Sequence, residues 1–208
     1  LQHLPRPVTV LTTHSAWLMA SLCIGADGLL SGAGSVVAQL QVELFEAVKA
    51  GDLKKEIEYW APGVEKLTLA KRLTYEINSN WKNVVDNFLE CYHCHIAHLE
   101  FVDLVDMGTY IVKTYGIWSS HFAEAGKTKN VAYDVEDASV TTHAVWWLWP
   151  NTCLLRYPGR NNFMVLQIIP AGPEKTLEIW DFYLEDNNLT KGEVEAVKYI
   201  NEVLQVQD

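Results

Sequence analysis

The sequence predicts an α+β fold over residues 56–208, preceded by a β-α-β-α segment over residues 1–53. Two observations predict the α+β part: strand-like runs follow one another directly, and a long helix closes the chain. Those runs lie at 110–118, 143–149, 162–169 and 176–184. A third observation distinguishes residues 1–53 from the rest of the chain. In that part, strand-like and helix-like runs alternate and are connected by glycine-rich turns.

The first part reads in order as strand, helix, strand and helix. A β-like run at 8–11 leads into an apolar helix at about 15–24, and Gly25-Ala26-Asp27-Gly28 makes a turn. A short buried strand follows at 29–31, and a second helix ends near Gly51. This alternation is typical of parallel α/β folds. Gly, Lys and Glu residues near 51–58 indicate a domain boundary.

The second part begins with a polar, basic stretch that contains Lys66, Lys71 and Arg72. A helical segment is predicted at about 81–98, and the strands follow it. The final helix begins at Thr190, where Thr190-Lys191-Gly192-Glu193 forms a capping box. Its predicted buried stripe consists of Val194, Val197, Ile200, Val203 and Leu204. Antiparallel strands followed by a long helix favour a helix that lies across a curved sheet.

Composition restricts the classes of protein that fit. Apolar residues make up 49% and charged residues 20%, as in globular proteins. The net charge of -10 disfavours a nucleic-acid partner, which requires a basic face. The apolar run at 8–24 is interrupted by polar residues and lacks a cationic lead, so it predicts buried core and no membrane span. Four cysteines fit a reducing cytoplasm better than a disulfide scaffold.

The highest density of potential metal-binding and redox-active side chains lies at residues 87–98, which contain three histidines, two cysteines and a carboxylate. A structural zinc site would use Cys91 and Cys94, but it needs a second pair of ligands, and Cys23 and Cys153 stand alone. A redox Cys-x-x-Cys pair would open a helix after a strand, whereas this pair falls late in a predicted helical segment.

A third interpretation is a facial triad, in which two imidazoles and one carboxylate occupy one face of Fe(II). His93 and His98 are five residues apart, about 140° around a regular helix, so they converge only if the helix bulges or ends between them. Asp208 lies four residues past Leu204 and extends the predicted buried stripe, where a carboxylate needs a cation or hydrogen-bond donors. The alternative is that Asp208 is a solvated chain end.

These residues also resemble a known family. Asn80-Trp81-Lys82, the string from Asp86 to Cys94, and Ala97-His98 resemble the iron-site segment of Rieske-type ring-hydroxylating oxygenase α subunits. Residues 203–208 resemble the helix that carries the third ligand in that family. The resemblance covers about 56–208 and implies a helix-grip catalytic domain with a long C-terminal helix. It further implies that His93, His98 and Asp208 bind iron, with Asn87 hydrogen-bonded beside them.

The resemblance also implies a reaction and partners. Glu90 matches the acidic residue that bridges toward the Rieske cluster of a neighbouring subunit in a homotrimer, and its context is most like the branch that oxidises carnitine or glycine betaine. We therefore expect O₂-dependent hydroxylation of a small aromatic or quaternary amine substrate. The family's 2Fe-2S cluster needs Cys-x-His and Cys-x-x-His motifs that are not encoded outside the iron segment, so an external Rieske or reductase donor is expected. His95 replaces the usual Pro and is expected to be exposed or adjacent to the ligands.

Residues 1–53 resemble the C-terminal modules of the dihydrodipicolinate synthase and N-acetylneuraminate lyase family. The resemblance is carried by residues 25–34 and 47–53, and it implies a remnant of a (β/α)8 barrel. The Schiff-base Lys and the Tyr of such lyases have no counterpart here, which disfavours lyase activity. The remaining alternative is an inert fusion of two gene fragments that retains a metal site.

Aromatic residues on the predicted strands have two interpretations. They either line a substrate pocket, where they would attract a quaternary ammonium, or fill the core, as alternating aromatics usually do. The set comprises Trp146, Trp147, Trp149, Tyr157, Trp180 and Phe182. His121 and His143 are expected to be hydrogen-bonded or exposed, and not catalytic.

Overall fold

A computed structural model of the chain describes residues 11–12, 28–29, 42, 45–46, 52–127, 129–135 and 138–207. The chain divides into two compact units. One comprises residues 1–62 with 115–117, and the other comprises residues 63–114 with 118–208. Within the described residues, no helix is both long enough and apolar enough to cross a membrane.

In the first unit, β1 (Leu11–Thr12) pairs in parallel with β2 (Gly28–Leu29). A parallel pair requires a crossover connection, which agrees with the predicted order of elements. The helix predicted between these strands lies outside the described residues. Of the helix predicted after them, residues 42 and 45–46 are described, and they are helical. Helix α1 (Asp52–Trp60) covers the stretch in which a boundary was expected. The barrel origin of this segment stays a prediction.

The second unit is built on one seven-stranded sheet. Its strands are β3 (Thr68–Ile77), β4 (Ile111–Tyr115), β5 (Trp118–Glu124), β6 (Thr142–Leu148), β7 (Thr152–Arg156), β8 (Asn162–Gly172) and β9 (Lys175–Leu184). Their order across the sheet is β3-β9-β8-β7-β6-β5-β4. Neighbours from β3 across to β5 pair antiparallel, which confirms the predicted α+β class.

Strand β3 corrects the prediction of a polar, basic stretch at this point. It forms an edge of the sheet, with Arg72 opposite Asp181 of β9. The Arg72 guanidinium donates two hydrogen bonds to that carboxylate, at 2.5 and 2.6 Å. Leu73 and Tyr75 alternate with exposed residues and pack against the core. Half-buried and exposed side chains therefore alternate along β3 with a period of two. The charged residues on its exposed face made this alternation hard to recognise in the sequence.

The helical segment predicted at about 81–98 is interrupted. It contains two helices, α2 (Trp81–Leu89) and α3 (Cys94–Ala97), and α4 (Leu99–Leu104) follows directly after it. Asn80 caps α2, because its side chain accepts a hydrogen bond from the Lys82 N–H at 3.0 Å. Glu90 is extended, with φ -103 and ψ 153, so α2 ends there.

The C-terminal helix begins as predicted. Helix α5 (Lys191–Tyr199) continues as a π turn (Ile200–Leu204) and then as α6 (Gln205–Gln207). The capping box is confirmed: the Thr190 hydroxyl accepts from the Glu193 N–H, and the Glu193 carboxylate accepts from the Thr190 N–H at 2.7 Å.

The buried stripe of this helix is confirmed except at one position. Val197 and Ile200 are buried, and Val203 and Leu204 are half-buried. Val194 is 49% exposed, so its inclusion in the stripe was wrong. The π turn adds a residue to one helical turn, which rotates every later position relative to a regular α-helix.

One hydrophobic core connects the sheet with the helices. Strands β8 and β9 contribute Leu166, Ile168, Trp180 and Phe182, and the C-terminal helix contributes Val197 and Ile200. The same cluster includes Phe101 and Leu104 of α4. The segment that carries the predicted ligands is thus anchored to the sheet by buried side chains.

Candidate metal centre

The break between α2 and α3 brings His93 and His98 together. His93 is the N-cap residue of α3. His98 is both the C-cap residue of α3 and the N-cap residue of α4. Their ring centroids are 4.9 Å apart, with the rings tilted by 77°. The condition set by the sequence, a helix that bulges or ends between the two residues, is met. Two imidazoles in this arrangement can bind one metal ion.

Glu90 lies directly behind His93. The carboxylate accepts hydrogen bonds from His93 Nδ1 and from the Tyr92 N–H, the latter at 2.6 Å. The hydrogen bond from His93 is the main cause that lowers the pKa of Glu90 below its usual value. A histidine whose Nδ1 is fixed by a carboxylate binds metal through Nε2, and many metal sites in proteins are built this way.

The other predicted site residues fall around this pair. Asn87 lines the same cavity as His93 and His98, whereas His95 is exposed on α3. His98 is buried, with 3% of its surface exposed. Asp208 lies outside the described residues. Within the part of the chain that the structure describes, no three His, Cys, Asp or Glu side chains form a metal-binding group.

Cys91 and Cys94 form a disulfide bond. The expectation that these cysteines are reduced thiols was wrong. The bond also removes the zinc alternative in this state, because zinc binds thiolates and neither sulfur is a thiolate here. His93 lies inside the small ring that the disulfide closes. Cys153 is a buried free thiol, and Cys23 lies outside the described residues.

A cavity of about 60 Å³ adjoins the histidine pair. Beside the predicted residues, its wall includes Tyr110, His121, His143 and Tyr157 from the sheet and its loops, and Leu204 from the C-terminal helix. His121 and His143 are 4% and 2% exposed. Both were expected to be hydrogen-bonded or exposed and not catalytic, so neither was predicted to lie at the site.

The pattern that identifies these two histidines is strand register. His121 lies opposite Val145, and Ala123 lies opposite His143, so all four side chains share one face of the sheet. That face is the core face, because Ala123 and Val145 belong to the hydrophobic core. The prediction missed it because β5 was not recognised as a strand.

A second cavity of about 340 Å³ lies between the sheet and the N-terminal half of α5. Tyr157 lines both cavities. Phe182 lines the larger one, whereas Trp146 is fully buried on the other face of the sheet, beside Phe122 and Phe163. The core interpretation is thus confirmed for Trp146. Tyr157 and Phe182 also belong to the hydrophobic core, and a role for their cavity-facing sides in substrate binding stays a prediction.

The fold and the site define an α+β domain in which a histidine pair faces an antiparallel sheet across a small cavity. The family model described as "Ring hydroxylating alpha subunit (catalytic domain)" matches residues 64–208. The chain belongs to this family, which confirms the resemblance seen in its iron-site segment.

Known relatives agree with this assignment. The carnitine monooxygenase oxygenase subunit of Escherichia coli (strain K12) is 33% identical over 147 residues, which cover 71% of this chain and 39% of that protein. The chloroplastic choline monooxygenase of Atriplex hortensis is 29% identical over 145 residues, which cover 68% of this chain and 31% of that protein. The chain thus spans about two fifths or less of the length of these curated relatives.

Among solved structures, the quaternary ammonium Rieske monooxygenase CntA with a bound inhibitor superposes with a TM-score of 0.69. Sequence identity is 27%, and the match covers 78% of this chain and 43% of that one. The same enzyme with bound L-carnitine gives a TM-score of 0.63 at 27% identity, over 78% of this chain and 42% of that one. The antiparallel sheet with its C-terminal helix is therefore the Rieske oxygenase catalytic fold.

Proposed function

We propose that residues 56–208 are the catalytic domain of a mononuclear non-haem iron oxygenase that hydroxylates a small quaternary amine. The observation that carries the proposal is the convergence of His93 and His98, with Glu90 bonded to the Nδ1 of His93. In this proposal His93, His98 and Asp208 hold Fe(II), and residues 1–53 form a separate barrel-like segment.

The donor set fits ferrous iron. Two imidazoles and a carboxylate occupy three positions of an octahedral ion and leave the remaining positions for exogenous ligands. When bound, the iron would supply the activation of O₂. Glu90 would keep His93 in the tautomer whose Nε2 coordinates, and Asn87 would border the ligands from the end of α2.

The larger cavity supports a cationic substrate. Its volume of about 340 Å³ falls within the usual range for small-molecule pockets. Tyr133, Tyr157 and Phe182 supply aromatic rings, which attract quaternary ammonium groups through cation–π interactions. The lining carries three carboxylates, Asp134, Glu193 and Glu195, and two cations, Arg160 and Lys191, so it has a net charge of about -1. Arg160 pairs with Glu193 at 3.4 Å and Lys191 with Glu195 at 3.6 Å. The substrates of the named relatives, carnitine and choline, are of this type.

Electrons would come from a Rieske centre outside this chain. A solved relative is described as using inter-subunit electron transfer, and a partner subunit that carries a Rieske cluster would bind with that cluster near Glu90. Glu90 would then have two roles, one as the hydrogen-bond partner of His93 and one on the electron path.

Metal analysis tests the proposal. The chain reconstituted anaerobically with Fe(II) should hold about one iron, and His93→Ala or His98→Ala should remove it, because a facial triad has no spare ligand. His95→Ala is the matched control, since His95 is exposed on the same short helix, and it should retain its iron. Unchanged iron in both ligand variants would refute the assignment, and loss of iron in the control would mean that the wrong histidine was chosen.

Ligand binding tests the substrate class separately. Choline and its uncharged carbon isostere 3,3-dimethylbutan-1-ol have the same shape. A cation–π contribution of about 0.5–2 kcal/mol predicts that choline binds roughly 2- to 30-fold more tightly in calorimetry. Equal affinities would exclude a cationic substrate and leave the metal assignment untouched.

A further inference from the structure

Two histidines on neighbouring strands face the small cavity opposite the predicted ligands. His121 on β5 and His143 on β6 are both buried, and both line this cavity together with His93 and His98. Burial lowers the pKa of His121 to about 4 and that of His143 to about 3, so both imidazoles are neutral near pH 7.

The two histidines differ in their hydrogen bonds. His121 interacts with the Tyr110 hydroxyl through Nδ1 at 3.1 Å and with the Ser119 hydroxyl through Nε2 at 3.3 Å. The Nδ1 of His143, by contrast, has no hydrogen-bond partner among the described residues. The ring of His143 is surrounded by those of Phe101, Tyr157 and Tyr110, at centroid distances of 5.3, 4.9 and 6.2 Å.

An unpaired buried nitrogen destabilises the folded state, because its hydration is lost and no bond replaces it. Packing does not require this nitrogen, since an apolar ring of similar size would suit an aromatic environment. Polar groups that violate the packing rules in this way are expected chiefly at functional sites. A hydrogen-bond partner for His143 is therefore to be sought inside the cavity.

The size of the cavity limits that partner. A volume of about 60 Å³ has room for a few water-sized atoms and is far smaller than the 340 Å³ cavity proposed for the substrate. The partner is therefore a ligand of two or three heavy atoms, and a metal held by His93 and His98 would border the same space.

We infer that His143 is a positioning residue whose Nδ1–H donates a hydrogen bond to a small exogenous ligand of the metal, of the size of azide or O₂. The inference rests on the proposed iron site. Tyr110 and His121 also line the cavity, but they are hydrogen-bonded to each other. His143 is therefore the residue of this group that can donate to a ligand.

Azide is the probe, titrated into the chain loaded with Co(II), whose visible absorption reports ligand binding. A hydrogen bond to a charged ligand predicts that His143→Phe weakens azide binding roughly 10- to 100-fold. His143→Asn is the matched control, because its amide nitrogen can take the place of Nδ1, and its azide affinity should stay within about threefold of the unsubstituted chain. Metal content should be unchanged in both variants.

Thermal unfolding of the metal-free chain provides a readout independent of the metal. His143→Phe removes the unpaired nitrogen and should raise the Tm by about 2–4 °C or more. His121→Phe removes a bonded histidine and should lower the Tm, because Tyr110 and Ser119 lose their partner.

The outcomes separate the two hypotheses. Normal metal content with unchanged azide affinity in His143→Phe would overturn this inference alone. A lower Tm with weakened azide binding in both His143 variants would show a structural role, and would also overturn it. A chain that binds no metal before substitution would refute the proposed function and this inference with it.

Discussion

Substitution of Glu90 by Gln tests how the protein prepares His93 for a metal. The Glu90 carboxylate bonds both His93 Nδ1 and the Tyr92 N–H, and its lowered pKa keeps it ionised at neutral pH. A carboxylate in this position fixes the tautomer of the imidazole and makes the coordinating nitrogen more basic. Gln has nearly the same shape and retains an acceptor oxygen, but it lacks the charge.

The expected effect is a loss of Fe(II) affinity. Removal of such a supporting carboxylate typically weakens metal binding by about 10- to 100-fold. The Glu90 side chain is 37% exposed, so water screens part of its charge, and we expect a value near tenfold. Competition with a chromophoric ferrous chelator under anaerobic conditions measures the dissociation constant directly.

Asp86→Asn is the matched control. Asp86 is exposed one helical turn before Glu90, so the substitution changes the net charge equally without touching the His93 hydrogen bond. Its iron affinity should stay within about twofold of the unsubstituted chain. Equal losses in both variants would indicate a general charge effect. Unchanged affinity in Glu90→Gln would contradict the positioning role and leave Glu90 only the proposed electron-transfer role.

Three further predictions concern stability and domain organisation. Burial lowers the folded pKa values of His121 and His143 to about 4 and about 3, against 6.5 when unfolded, so the unfolded chain binds more protons below pH 6.5. Urea unfolding should therefore show a stability that falls by about 3 kcal/mol for each histidine as pH drops from 6.5 to 4, and a flat profile would contradict their burial. Thr190→Ala should destabilise the chain by about 1 kcal/mol and lower the Tm by about 2–4 °C, whereas Lys191→Ala at the next, exposed position should stay within about 0.5 kcal/mol. Trypsin should cut at the exposed Lys54 or Lys55. Deletion of residues 1–62 should leave iron content unchanged, because all three proposed ligands belong to the second unit. A deletion that abolishes folding would show that the second unit requires the first in order to fold.

The sequence predicted the elements whose signals are local. The capping box at Thr190 and the alternating runs of β6, β8 and β9 each depend on residues close together in the chain, so pattern alone located them. Strand β5 was missed because it is buried along nearly its whole length but contains three consecutive polar residues, Ser119, Ser120 and His121, so it shows neither a continuous apolar run nor an alternation. Strand β7 was missed because it is only five residues long and follows β6 after a short turn.

The site was predictable only in part for a similar reason. His93 and His98 lie in one segment, so their spacing and the need for a helix break could be deduced. His121 and His143 lie on different strands and share a face only through the register of β5 with β6. Recognition of that pair required β5 as a strand. The disulfide between Cys91 and Cys94 could not be deduced from spacing, because Cys-x-x-Cys is equally compatible with thiols, a metal site and a disulfide.

The expectation for Asp208 shows where periodic reasoning holds along this helix. Counting eleven residues from Val197 crosses the π turn at Ile200–Leu204, and the extra residue in that turn shifts the face on which later positions fall. Counting from Leu204 avoids the shift, because Gln205–Gln207 is α-helical again and Asp208 is the next residue in the sequence. Leu204 itself lines the cavity beside His93 and His98. The prediction that Asp208 is the third ligand therefore rests on its separation of four residues from Leu204 in the sequence. The positions of Val194 and Val197 in the predicted stripe do not support it.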